Sequence, residues 1–139
     1  MKYYAVIDTN VLVSAMLNWS SVPGNILELT VSGTIVPLLH EKIVKEYRDV
    51  LSRKKFHFTD EIVDNLVSEI ERLGIYVDSE ELDIALPDPK DRIFYEVVME
   101  ERKEEDAYLV TGNIKHFPDV PHVVTPRQMM DIIINKIES

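Results

Sequence analysis

Cysteine is absent from all 139 residues, which excludes disulfide staples and thiolate metal sites alike. A chain without thiols suits an intracellular compartment. No apolar run approaches the roughly 20 residues of a membrane span. The start Met1-Lys2-Tyr3 also lacks the apolar segment and small-residue cleavage site of a secretory signal. The expectation is a cytoplasmic protein with no membrane partner. Repeats, low-complexity tracts and linkers are missing as well, so residues 1–139 read as one domain, long enough to bury a core. Basic residues are in short supply: 15 Lys and Arg stand against 25 Asp and Glu, a net charge of −10. An excess of that size repels a polyanion. A nucleic-acid partner is compatible with it only if the acids are concentrated in a cation site and the basic residues gather elsewhere. Arg53-Lys54-Lys55, with Lys42, Lys45 and Arg48 upstream and His57 after it, is the one obvious basic cluster. It is either a contact for a phosphate backbone or plain solvated surface.

What is present is an alternation of strand-like and helix-like segments. Tyr3 to Ile7 is a continuous apolar run with β-branched members, the pattern of a strand covered on both faces. Val11 to Leu17 reads as a helix, and a second one through Ile26 to Val31 ends at Gly33. Thr34 to Pro37 is a short strand. Helical spacing follows from about Glu41 to Lys55 and from Asp60 to Leu73, where Gly74 stops the helix. Ile75 to Val77 is a third strand. Asp88-Pro89 opens a helix reaching about Arg102, Ala107 to Val110 and Val123-Val124 are strands, and Pro126 begins a last helix. Its apolar side is expected to carry Met129, Met130, Ile133, Ile134 and Ile137. Strands separated by helices predict a three-layer α/β/α sandwich around a central, mostly parallel sheet.

In such sheets ligands bind at the carboxyl ends of the strands. Asp8 stands at the end of the first strand, as either a site residue or the N-cap of the next helix, a role worth about 1 kcal/mol. Asp91 lies roughly 60° from Phe94 and 20° from Val98 on the helical wheel, within the inward stripe. A carboxylate there is costly unless paired. The alternative is an N-cap, N1 and N3 set of Asp88, Pro89 and Asp91, in which Asp91 bonds back to the Asp88 amide. Glu46 falls about 40° from Val50, at the edge of its stripe. It can reach a crevice from there, or pair with Lys42 four residues earlier. Leu109-Val110-Thr111-Gly112-Asn113 repeats the opening pattern of an apolar strand giving way to a small polar cluster. Gly112-Asn113 serves equally as a simple turn. Oxygen ligands with no Cys, and with no His near these positions in the sequence, select Mg2+ or Mn2+ over Zn2+. Phosphodiester hydrolysis is the reaction such a site serves most directly.

Val6 to Ala15, Glu46 within Glu41 to Leu51, Asp88-Pro89-Lys90-Asp91-Arg92-Ile93-Phe94 and Leu109 to Asn113 together resemble the PIN domain. Within it they resemble the small prokaryotic toxins of toxin–antitoxin pairs, over nearly the whole chain. The resemblance implies a sheet order near 3-2-1-4-5 and metal-dependent RNA cleavage in which Asp8, Glu46 and Asp91 hold one or two divalent ions. Thr9 or Asn10 would assist at the first turn; Thr111 and Asn113 are further supporting candidates, and Arg53, Lys54 and Lys55 of the basic cluster are the candidates to touch RNA. It also implies a homodimer and a small antitoxin that blocks the groove. The chain departs from the pattern at Asn113, where many relatives carry a fourth acid; Asp119 is a candidate to compensate. A haloacid-dehalogenase-like phosphatase would need a second Asp where this chain has Asn10, and a receiver domain an adjacent acidic pair. The remaining alternative is a degenerate PIN domain that binds RNA or protein without cutting.

Overall fold

The computed structural model describes residues 1–138, with the side chain of Glu138 outside the description. The strands are β1 (Tyr3–Ile7), β2 (Ile35–Leu39), β3 (Ile75–Tyr76), β4 (Ala107–Val110) and β5 (Val123–Val124). The helices are α1 (Thr9–Leu17), α2 (Val22–Val31), α3 (Glu41–Leu51), α4 (Asp60–Leu73), α5 (Arg92–Glu101) and α6 (Pro126–Glu138). The strands form one parallel sheet in the order β3-β2-β1-β4-β5. Parallel neighbours need crossovers: α1 and α2 lie between β1 and β2, α3 and α4 between β2 and β3, and α5 between β3 and β4, while β4 reaches β5 through a 3-10 turn, Ile114–His116. α5 lies across β1, β2 and β4, α2 packs against β2, and α6 against β5. The expected α/β/α architecture and strand order are therefore what the chain adopts. Among the described residues no helix is long and apolar enough to cross a membrane.

β1 sits at the centre because it can be buried on both faces. Ala5, Val6 and Ile7 are covered almost completely, as are Ile35, Leu38 and Leu39 of β2 and Leu109 and Val110 of β4. The helices begin where local donors are satisfied: Ser21 caps α2 at Gly24 N, His40 Nδ1 caps α3 at Lys42 N, and Thr59 caps α4 at Ile62 N. Tyr47 on α3 is fully buried, and its hydroxyl donates to the Ile7 carbonyl. That bond anchors α3 beside the carboxyl end of β1.

Three expectations change. The helix expected to run on to Lys55 ends at Leu51; a 3-10 turn, Lys54–Phe56, follows and closes on His57 in the left-handed region at φ 59°. The helix expected from Asp88 is instead a 3-10 turn, Pro89–Asp91, followed by α5. The Asp88 side chain accepts from Lys90 N at 3.0 Å, tightening the turn and leaving Asp91 at its junction with α5. On α6, Met129 and Ile133 are buried, but Ile134 and Ile137 are 42% and 77% exposed. α6 packs on α2 and β5 along a narrow stripe, so the two outer isoleucines meet solvent. Between Val77 and Asp88 an irregular strap returns the chain from the β3 edge to α5. It half-buries Leu82, Ile84 and Leu86, and Leu82 N donates to the buried Glu96 Oε2 at 2.7 Å.

Gly24 is required where α2 begins. A Cβ there would stand 1.9 Å from the Trp19 carbonyl oxygen, against backbone that has nowhere to go without opening the turn before the helix. Gly24→Ala is expected to destabilise the fold by about 2–3 kcal/mol, the scale of overpacking a tight site. A denaturant midpoint equal to wild type would show that this turn is looser than its geometry.

Candidate functional site

The parallel pairing of β1 and β4 places Ile7 opposite Val110, and the next residues along, Asp8 and Thr111, leave the sheet side by side. The Asp8 amide donates to the Val110 carbonyl at 2.9 Å, and the Thr111 amide donates to that of Val124 at 2.9 Å. Asp8 is 6% exposed. It occupies the N-cap position of α1, yet its side chain makes no capping bond. Its Oδ2 instead accepts from Thr111 Oγ1 at 2.7 Å and from Asn10 Nδ2 at 3.1 Å. Of its two candidate roles, the capping one is thus set aside. Asn10 is itself held, its Oδ1 accepting from Gly112 N at 2.9 Å. A Cβ on Gly112 would press to 3.2 Å from that oxygen, so any larger residue there would have to push the Asn10 side chain aside by a few tenths of an ångström. Thr111 Oγ1 also accepts from the Asn113 amide at 3.0 Å. Thr9, Asn10 and Thr111 are therefore all bound into the site.

Glu46 does not pair with Lys42. Its Oε2 accepts a hydrogen bond from Thr9 Oγ1, and the neighbouring i, i+4 ion pair on α3 is Lys45 with Asp49 at 2.6 Å. Asp91 makes no capping bond at the start of α5. Its Oδ2 faces His116 Nδ1 at 3.4 Å. An imidazole thus stands beside a candidate ligand, contrary to the expectation of a site without histidine. The 3-10 turn Ile114–His116 folds it back from 25 positions further along the chain.

The three acids feel one another. Burial pushes the Asp8 carboxyl up to about 6, the bond from Thr111 opposes this, and the Asp91 charge adds to it. Glu46 is raised, first by burial and then by Asp8 and Asp88, while the Thr9 bond and Lys90 pull it down. Asp91 is raised by burial, then by Asp88 and Glu46, with His116 opposing. Three carboxylates that each resist ionisation, with no Lys or Arg bonded to any of them among the described residues, form a crevice short of positive charge. Among those residues no three acidic or histidine side chains stand close enough to make a ready-made cage. An open set of hard oxygens suits an ion that keeps several of its waters, as Mg2+ does, better than a closed structural site.

The other candidates scatter. Asn113 is exposed, and its side chain makes no bond at the start of the 3-10 turn. Asp119 lines a separate depression with Val120 and Asp131, away from the three acids. A groove of about 580 Å3 does adjoin Glu46, between α3 and the turn that opens α5. It carries Lys42, Lys45, Arg53, Lys90 and Arg92 together with the acids Glu46, Asp49, Glu81, Asp88 and Glu96, and two of the cations are paired within it, Lys45 with Asp49 and Arg92 with Glu96. Arg53 of the basic cluster lies in it, but Lys54 and Lys55 do not; Lys55 Nζ sits over the Phe56 ring at 5.1 Å. Lys90 and Arg92 escape a reading by spacing, because the sequence does not show that α3 and α5 face each other.

Fold and site together define a parallel α/β protein with an acidic, oxygen-lined crevice at the carboxyl ends of its central strands. A family model of the PIN domain matches residues 4–115, and the chain belongs to the PIN-domain family. That is a nuclease-type fold, and members of the family are typically metal-dependent nucleases. No curated protein matches the chain.

The raised Asp8 pKa has a definite sign. An acid raised on folding contributes stability below its unfolded value of 3.8, and that contribution is lost as pH climbs through about 6. Above that pH the folded state carries the cost of an ionised buried carboxylate, on the order of 3 kcal/mol. Asp8→Asn keeps an acceptor for Thr111 and Asn10 and removes the charge. Without added metal it should melt several degrees above wild type at pH 7.5, with the gap closing near pH 4. Equal melting curves at both pH values would refute the electrostatic account.

Proposed function

We propose that this chain is a divalent-metal-dependent ribonuclease in which Asp8, Glu46 and Asp91 hold Mg2+ or Mn2+. The observation that carries the reading is the nearly buried Asp8, bonded by Thr111 and Asn10, with Glu46 held by Thr9 and with no Lys or Arg bonded to Asp8, Glu46 or Asp91 among the described residues, a shortage of positive charge that a cation would relieve. Thr111 and Asn10 fix the rotation of Asp8, and Thr9 fixes Glu46, so two of the three ligands are oriented before any ion arrives. Such an ion, when bound, neutralises charge developing on a phosphoryl oxygen and acidifies water near neutral pH. The chain's own residues position the phosphodiester. Lys42, Arg53 and Lys90 of the groove beside Glu46, which make no ion pair among the described residues, would take the flanking phosphates, although the same groove is also lined by acids.

The finer reading is a cytoplasmic toxin of a toxin–antitoxin pair, acting as a homodimer and silenced by a small antitoxin that covers the crevice. Its support is the order and spacing of the four motifs shared with the small prokaryotic members. A second reading, a degenerate domain that binds RNA or protein without cutting, is favoured by the exposed Asn113, where many relatives carry an acid, and by the net charge of −10.

Incubation with pooled structured and single-stranded RNAs separates the two. The nuclease reading expects cleavage with Mn2+ or Mg2+, none with chelator, and a loss of at least about 100-fold in Asp8→Asn. It also expects either ion to raise the melting temperature by mass action, an effect abolished when Asp8, Glu46 and Asp91 are all replaced. Binding of RNA with no cleavage at any metal concentration would favour the second reading. Unchanged cleavage by Asp8→Asn would remove Asp8 from the site.

The groove makes its own demand. Lys42→Ala with Arg53→Ala should weaken RNA binding several-fold and flatten the dependence of log affinity on log salt by about 0.7 for each phosphate no longer neutralised. A salt slope identical to wild type would place the RNA elsewhere.

A further inference from the structure

The three acids differ in how they are oriented. Asp8 accepts from Thr111 and Asn10, and Glu46 accepts from Thr9. Asp91 has neither a capping bond nor a hydroxyl beside it; among the described residues the one donor facing its carboxylate is His116 Nδ1, 3.4 Å from Oδ2. The segment carrying that imidazole is tied to the rest of the site. Thr111 Oγ1 bonds Asp8 and accepts from Asn113 N, Gly112 N bonds Asn10, and the His116 amide donates to the Asn113 carbonyl at 2.9 Å. Residues 111–116 therefore touch Asp8 at one end and Asp91 at the other. Their hydrogen bonds set where the imidazole stands. The His116 side chain is 46% exposed, so it fills no core space that would otherwise explain its position.

We propose that His116 is the positioning residue for Asp91, donating Nδ1–H to Oδ2 and fixing the rotation of that carboxylate as Thr111 and Thr9 fix those of Asp8 and Glu46. The bond needs the Nδ1–H tautomer, which a neutral ring supplies, so the role does not depend on protonating the histidine. At 3.4 Å the contact is longer than an ordinary N–H···O hydrogen bond, and the donating role requires it to shorten in solution. A donor that orients a ligating carboxylate is worth about 10- to 100-fold in metal affinity. The proposal rests on the reading of Asp8, Glu46 and Asp91 as a metal site.

Two measurements on the full chain at pH 8 test it. In the metal-free protein, long-range 15N–1H spectra should show His116 as the Nδ1–H tautomer, and Asp91→Ala should release it to Nε2–H. In calorimetry with Mn2+, His116→Leu should weaken binding about tenfold, while His116→Asn, whose amide places a donor near the position of Nδ1, should stay within about threefold of wild type. The metal-free melting temperature of both variants should match wild type to within about 2 °C, as for an exposed side chain, which separates orientation from folding. An Nε2–H tautomer in wild type overturns the proposal. So does Mn2+ affinity unaltered by His116→Leu, or an Asn variant as weak as the Leu variant. A wild-type chain that binds no Mn2+ overturns the metal-site reading instead, and the tautomer then still decides whether His116 donates to Asp91.

Discussion

A single carboxylate, Asp8, is held almost out of water where the two central strands end, and the arrangement around it follows from that constraint. An ionised group at 6% exposure is expensive unless its oxygens are bonded. Thr111 and Asn10 bond one of them. The Thr111 bond depends on the parallel register of β1 with β4, since Ile7 opposite Val110 brings Asp8 and Thr111 out of the sheet together, while the Asn10 bond is local to the turn after β1. Even so, hydrogen bonds do not cancel the desolvation, and the Asp8 pKa stays high. The fold retains a site at which positive charge is missing.

The two other acids arrive from opposite sides by different devices. Glu46 is carried by α3, whose position is fixed by the neighbouring Tyr47, buried and bonded to the Ile7 carbonyl one residue before Asp8. Asp91 sits where a 3-10 turn passes into α5, a junction that the Asp88 side chain tightens. Each is held by packing remote from its carboxylate, so the three stay together despite their repulsion. The groove next to Glu46 sets five of the chain's scarce cations among five acids, and Lys42, Arg53 and Lys90 are the ones without an ion pair among the described residues.

Much of this is legible in the sequence. β1 and Asp8 can be read because a buried parallel strand is a continuous apolar run, and the first polar residue after it must lie at the ligand-binding edge. Glu46 and Asp91 are legible as positions on a wheel, without their partners. Of the alternatives left open there, the Glu46–Lys42 pair and the Asp91 capping bond are not formed, because tertiary neighbours, Thr9 and His116, face these carboxylates instead. His116 cannot be found by spacing. A turn of three residues with no side-chain cap leaves little periodic trace, and the acid it faces lies on another element. The outer isoleucines of α6 depart from expectation for a related reason: periodicity shows which residues share a face, not how wide a stripe the neighbouring helix covers.

Local pattern is enough for the class of fold, the strand that carries Asp8 and the hard-oxygen character of the candidate ligands. Apolar runs, caps and the chemistry of residue types act over a few positions and can be read without knowing what lies nearby in space. The folded chain alone reveals that Thr111 bonds Asp8 across 103 positions, that Glu46 turns to Thr9, and that the groove cations come from α3 and the start of α5. A buried charge takes its properties from whatever surrounds it, and in a parallel sheet those surroundings come from crossovers that sequence distance does not reveal.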